Sequence, residues 1–226
     1  MERAVHEAHP DYVAVVLVAS GLTNGPTDPG SDTQLAEAEA ALHARGLVKA
    51  TDHPHIASWR AAFSAFGAKP SRYPSSAEAL IGRVLRGRPI PRINALVDLY
   101  NAVSVRHVVP VGGEDAAQLQ GPLRLAVAAG GEPFDPRGDG SENDPAVAGE
   151  IVWRDDRGVT CRRWNWRQGH RTQLTEQTRR AFFVFDRLAG LEIDALHRAV
   201  DDLAQLLTER WPDCDQQRIQ RPGGTP

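Results

Sequence analysis

Hydrophobic and polar positions change period part-way along the chain. The run Val13 to Ala19 is continuously apolar and reads as a buried strand. Gly21 to Ser31 is rich in Gly, Pro and Asn and reads as loop. Asp32 is placed to cap a helix running to about Arg45 and stopped by Gly46. A second helix is expected after Pro54, ending at Gly67, with Trp59, Phe63 and Phe66 at helical spacing and hence in the core. Ser75 and Glu78 form a capping box for a helix that ends near Gly87. Pro89 and Pro91 then forbid helix, and Asn94 opens the next one, to about His107. Beyond it the segments Leu123 to Ala128, Val147 to Trp153, Val159 to Trp164 and Ala181 to Phe185 read as strands. Asp155 to Gly158 suits a hairpin turn, and Gly130 to Pro145 is polar loop. Glu192 to Trp211 is a strongly amphipathic helix, with Ile193, Leu196, Val200, Leu203 and Leu207 on one side. From Pro212 the chain is polar and expected to fray. Helices first and strands later, without regular alternation, predict an α+β fold. The expected organisation is a single domain over 1–211 and a flexible tail over 212–226.

A chain of 226 residues can bury one sizeable core, or at most two small ones. Its 41% hydrophobic and 24% charged residues are those of an ordinary soluble globular protein. No apolar run approaches the roughly eighteen residues of a membrane span, and Tyr12 to Ala19 lacks the basic flank of a signal peptide. Cys161 and Cys214 lie far apart without metal-like spacing, as incidental thiols of a cytoplasmic protein do. The net charge of -3 excludes a global polycation. Two arginine clusters stand out: Arg83, Arg86, Arg88 and Arg92, then Arg162, Arg163, Arg167 and Arg171. Each is either a solvated face or a phosphate-facing surface.

Chemistry-bearing patterns are few. Asn94, Asp98 and Asn101 are spaced four and three apart, which puts them on one helix face. Capping accounts for Asn94, and the helix dipole favours Asp98 in the first turn. Neither accounts for Asn101, two turns in. The eight histidines include no His-x-x-x-His pair, and His53 and His55 straddle Pro54. With no Cys-x-x-Cys and no Gly-rich phosphate loop, neither a metal site nor a nucleotide-driven ligase core is signalled, and no cofactor is expected.

The stretch Arg88-Pro-Ile, Asn94, Val97-Asp98 and Asn101, followed by Pro110, Asp115 and Gly131-Glu132, resembles the B3/B4 domain of the bacterial phenylalanyl-tRNA synthetase β chain. Segments such as Trp59-Arg60, Gly149-Glu150 and Trp164-Asn-Trp-Arg167 resemble its free-standing form, and the likeness covers roughly residues 57 to 187. It implies a mixed or antiparallel sheet with flanking helices around a central pocket. It implies an editing hydrolase that acts in trans, deacylating mischarged tRNA at its 3′ end, with neither membrane nor DNA as partner. Carried onto this chain, Glu150 and Asn94 would be catalytic. Asp98, Asn101, Trp164, Trp166 and Arg167 would bind substrate. Trp164 and Trp166 suit a core or strand face better than a stacking role, and Asp98 and Asn101 equally suit a structural one. One departure is plain: Gly112 stands where the editing histidine would be. Two further readings stay open: a non-catalytic module binding tRNA or an amino acid, and a small-molecule binder that kept the pocket.

Overall fold

Two four-stranded antiparallel sheets organise the protein. The structure is a computed structural model and describes residues 1–139 and 144–221. In chain order the elements are α1 (Arg3–Ala8), β1 (Val13–Ser20), α2 (Pro29–Ala44), α3 (Pro54–Ala65), α4 (Ser76–Leu85) and α5 (Ala95–His107). There follow β2 (Val111–Asp115), β3 (Arg124–Val127), β4 (Ile151–Arg154), β5 (Val159–Arg162), β6 (Arg167–Gln168), β7 (Arg180–Arg187), α6 (Ile193–Arg210) and β8 (Asp215–Arg221). One sheet has the order β2-β7-β1-β8, the other β3-β4-β5-β6. The fold is α+β, as the order of elements predicts.

The first sheet has two different faces because side chains alternate along a strand. Val15, Leu17 and Ala19 of β1, with Phe183 and Phe185 of β7, pack on Leu96, Leu99 and Val103 of α5 and on the apolar stripe of α6. The opposite face carries Ala14, Val16 and Val18 of β1 and Phe182, Val184 and Asp186 of β7. These border hollows shared with Trp153 and Cys161 of the second sheet. α5 is packed on a second side by Leu35, Ala38 and Leu42 of α2 and by Ile81 and Val84 of α4. Tied into these cores, α5 and β7 are the rigid elements on which a site can be built.

α1, β2 and β6 are elements the sequence pattern does not announce, and four expected boundaries or segments come out differently. α2 begins earlier, because Asp28 rather than Asp32 is its N-cap, accepting from the Ser31 amide at 2.9 Å, with Pro29 in the first turn. The first predicted strand after the loop starts at Ile151, not Val147, because Gly149 turns the chain at φ +86. The next strand ends at Arg162, because Arg163 and Trp164 both adopt left-handed backbone, φ 45 and 65. The tail expected to fray instead adds β8 to the edge of β1, pairing Ser20 with Asp215 through Ala14 with Arg221. An edge strand needs no strict apolar alternation, so Gln216, Arg218 and Gln220 concealed it. Residues 222–226 of that tail, and 140–143 of the predicted loop, lie outside the described residues.

Candidate functional site

A cavity of about 260 Å3 opens where α4, α5, β2 and β7 meet the second sheet. Ser76, Ala79 and Leu80 of α4 and Tyr100 and Asn101 of α5 form one wall. Gly112 and Glu114 of β2 lie beside Val184 and Asp186 of β7. The far wall is Trp153, Cys161 and the turn Trp164 to Gln168. The hollow is slightly below the span of small-molecule clefts, roughly 300–1,000 Å3.

Two buried carboxylates line it, and among the described residues neither is in an ion pair. Asp186 is 2% exposed. Its Oδ1 accepts from the Tyr12 hydroxyl at 2.6 Å and its Oδ2 from the Asn165 amide nitrogen at 3.1 Å. Burial pushes its carboxyl up to about 7, against the pull of those two hydrogen bonds. Glu114, 5% exposed, accepts from the Thr160 hydroxyl at 3.2 Å on Oε1. Burial pushes it up to about 7 as well, opposed by the hydroxyls of Thr172 and Thr160 and by the more distant Arg171. Among the described residues its Oε2, with the Thr172 hydroxyl near it, makes no hydrogen bond of full geometry, and neither do Ser76 Oγ and Asn165 Oδ1. Buried polar atoms are almost always paired. With Trp164 Nε1, four unpaired ones belong to residues lining this one hollow, which marks a place suited to a polar group from outside. The Cys161 thiol is raised well above its ordinary value, by burial first and then by Glu114 and Asp186, so a thiolate nucleophile is disfavoured.

The turn that supplies the far wall is strained and heavily braced. Consecutive left-handed residues without glycine cost on the order of 1–2 kcal/mol each. Trp164 is fully buried, edge-on to Trp59 at 5.1 Å, Tyr12 at 4.8 Å and His9 at 4.9 Å. The Arg163 guanidinium lies 3.7 Å from the centre of the Tyr73 ring and 4.6 Å from that of Trp166. These contacts hold the turn so that Asn165 reaches Asp186.

Of the residues singled out in the sequence, Asn101, Trp164, Trp166 and Arg167 line this cavity, and three do not. Asn94 is the buried N-cap of α5, accepting from the Val97 amide at 3.1 Å and from Asn24 at 3.0 Å while donating to the Leu174 carbonyl. Asp98 accepts from Thr27 Oγ1 at 2.6 Å, Ser31 Oγ at 3.4 Å and the Ile93 amide at 3.0 Å. Both side chains are used to fasten the preceding loop and the start of α2 to α5. Glu150 borders a separate hollow with Lys69, Arg72 and Tyr73. Its oxygens are occupied by the buried Arg162 guanidinium, at 2.8 and 2.6 Å, and by the Val147 amide. Its carboxylate is thus committed to Arg162 and does not line the cavity. The second arginine cluster is not a solvated face either: Arg162 and Arg163 are buried, and Arg171 pairs with Asp155 at 2.8 Å. In the first cluster Arg92 pairs with Asp32 and Glu39, whereas Arg86 and Arg88 are exposed.

The family model described as the B3/4 domain matches residues 58–210. The chain belongs to the B3/4 domain family. The matched span runs from α3 through α6 and contains every residue lining the cavity, while Tyr12, which holds Asp186, lies outside it. Among solved structures, an N-terminal fragment of the phenylalanyl-tRNA synthetase beta-subunit from Pyrococcus horikoshii is similar, at 12% identity and a TM-score of 0.46. The likeness covers 97% of this chain and 52% of that one, so the B3/4 chain spans about half the length of that fragment. Comparison with curated proteins gives no match. Among the described residues no helix is long and apolar enough to cross a membrane, and no three His, Cys, Asp or Glu side chains converge as a metal site.

Gly112 gives a direct handle on this B3/4 cavity. A Cβ added there meets nothing within 4 Å, whereas one at Gly113 meets Tyr100 and Leu174 at 2.9 Å. Gly112→Val is expected to keep the melting temperature and fill part of the cavity. Gly113→Val is expected to lower stability by about 1–3 kcal/mol through overpacking. Thermal melts of the two variants check the contrast; equal losses would mean that Gly112 borders no free space.

Proposed function

We propose that this B3/4 domain hydrolyses aminoacyl esters in trans, deacylating charged tRNA at the 3′ end. The observation that supports it best is Asp186, a buried carboxylate outside any ion pair among the described residues, on the wall of an aromatic cavity of amino-acid dimensions. An α-ammonium group supplies the missing charge and makes a buried ion pair. Trp153 and Trp166 offer faces for the side chain and the terminal base, with Arg167 on the same wall and Asn101 on the α5 wall of the cavity. An aminoacyl ester is already activated, so a positioned water suffices and no protein nucleophile is needed.

Phosphates have a natural place beside the cavity. α4 borders it through Ser76, Ala79 and Leu80. The hollows flanking α4 and the preceding loop carry Lys49, Lys69, Arg72 and Arg86, all exposed. Charge reversal at Lys69, Arg72 and Arg86 together is expected to weaken tRNA binding. It should also flatten the dependence of log affinity on log salt by about 0.7–0.9 for each phosphate that is no longer engaged. An unchanged salt slope would remove tRNA from the reading and leave a small-molecule ester.

The activity is tested by incubating the protein with a panel of correctly and wrongly charged tRNAs and measuring release of labelled amino acid. Turnover of at least one ester is the expected result. Binding without release would make the domain a non-catalytic amino-acid or tRNA module, and neither would refute the reading.

A further inference from the structure

We infer that Glu114 is the general base of this cavity, taking the proton from the water that attacks the ester held through Asp186. The inference rests on the hydrolase reading above and adds the group that performs the step.

Geometry selects Glu114. It sits on β2 two residues beyond Gly112, so both project from the same strand face. Gly112 leaves open space next to it, enough for a substrate atom or a water. One carboxylate oxygen is held by Thr160, and the other is buried with only the Thr172 hydroxyl near it, outside full hydrogen-bond geometry. The more distant Arg171 makes no ion pair with it, being engaged with Asp155 at 2.8 and 2.9 Å. Asp186 is at the other end of the cavity. Glu114 lies opposite Phe182, four residues from Asp186 along β7, or about 13 Å between backbone positions. That span separates an ammonium anchor from a base and leaves an aminoacyl group and a water between them.

The other charged or titratable groups around Glu114 leave it the natural proton acceptor. Tyr100 of α5 and Cys161 of β5 are both held protonated by burial. Asp155, whose charge raises Glu114, is itself kept ionised by Arg171 and backbone amides. Burial places Glu114 near 7, where a carboxylate is most effective as a base at neutral pH. In the step, water oxygen bonds to the ester carbonyl carbon as its proton passes to Glu114, and the carbonyl π pair moves to oxygen. The tetrahedral adduct then reforms the carbonyl and breaks the bond to the ribose oxygen, which takes the proton back from Glu114. Free amino acid and tRNA leave, and the carboxylate is regenerated.

The experiment pairs two measurements on the intact protein. Binding uses a 3′-aminoacylamino-adenosine, an amide that resists hydrolysis, carrying the amino acid released fastest in the panel. Chemistry uses single-turnover hydrolysis at saturating protein across pH 5.5–8.5. Wild-type rate is expected to rise through pH 7 and level off. Glu114→Gln should bind the amide within about threefold but hydrolyse on the order of a hundredfold more slowly, with the limb near pH 7 gone. Glu114→Asp should recover part of the rate with a displaced limb. A full rate in Glu114→Gln, or a limb that survives it, overturns the assignment. So does a wild-type profile flat across the range, which needs no variant to fold. A wild type that binds the amide but releases nothing from any charged tRNA overturns the base while the binding site stands. Failure to bind the amide at all overturns the hydrolase reading itself.

Discussion

Asp186→Asn is expected to lose affinity for an aminoacyl amide by on the order of a hundredfold or more, while the protein without ligand becomes more stable at pH 8. The loss follows from removing the charge that pairs a buried ammonium at that end of the cavity; truncating such a pair costs about 2–5 kcal/mol. The gain follows from linkage. Asp186 has a folded value near 7 against about 3.8 for an ordinary aspartate. The folded state therefore binds the proton more tightly than the unfolded one. Its contribution is most favourable below about pH 4 and is lost as pH rises to about 7. Glu114 acts in the same direction. Asparagine removes the Asp186 share of that slope. It also fits: Tyr12 can still donate to its oxygen, and Asn165, whose Oδ1 is unpaired, can turn its amide to accept from the new nitrogen. A cationic ligand should do the reverse in the wild type, stabilising it more as pH passes through 7. Melting curves at pH 5 and pH 8, with and without the amide, read all of this. A variant that binds normally, or is destabilised at pH 8, contradicts the anchor role.

Glu150→Ala is expected to be the most damaging single change to stability, by about 3–5 kcal/mol. It strands Arg162, whose side chain is fully buried and doubly bonded to Glu150. Asp144, which also reaches Arg162 at 2.7 Å but is partly exposed, holds the loss at the lower end of that range. Removing both partners with Glu150→Gln and Arg162→Met should cost less than the single alanine change, because the fully buried guanidinium is no longer left without its carboxylate. Denaturant melts of the three proteins measure the difference. If Glu150→Ala melted like the wild type yet lost turnover, Glu150 would be a member of the site after all.

Much of the fold is legible in the sequence because its elements have strong periods. The apolar run of β1, the Ser75 cap of α4, the Asn94 cap of α5 and the apolar stripe of α6 all follow from local patterning. β2 escapes because two of its five residues are glycine, and β8 because it is a polar edge. The site is less legible. Asn94 and Asn101 do share a helix face, but seven residues are about 10 Å of helix, so one end meets the loop and the other the cavity. Asp186 ends an apolar run and reads as a strand terminus; its partner Tyr12 is 174 residues away. Glu114 follows two glycines and shows no pattern. What could have flagged Asp186 is the run itself, since a carboxylate continuing the buried strand Ala181–Phe185 must find hydrogen bonds or a counter-charge.

The aromatic wall has a consequence for observation. The protein has five tryptophans, and Trp153, Trp164 and Trp166 line the cavity that also holds Asp186 and Glu114. Indole emission shifts with the polarity and charge around the ring. A cation entering beside Asp186 changes the field at three emitters at once, while Trp211 lies in the other hydrophobic core and supplies a steadier background. The native protein thus carries its own optical reporter of occupancy, and unlabelled candidate amino acids can be ranked by titrating its fluorescence.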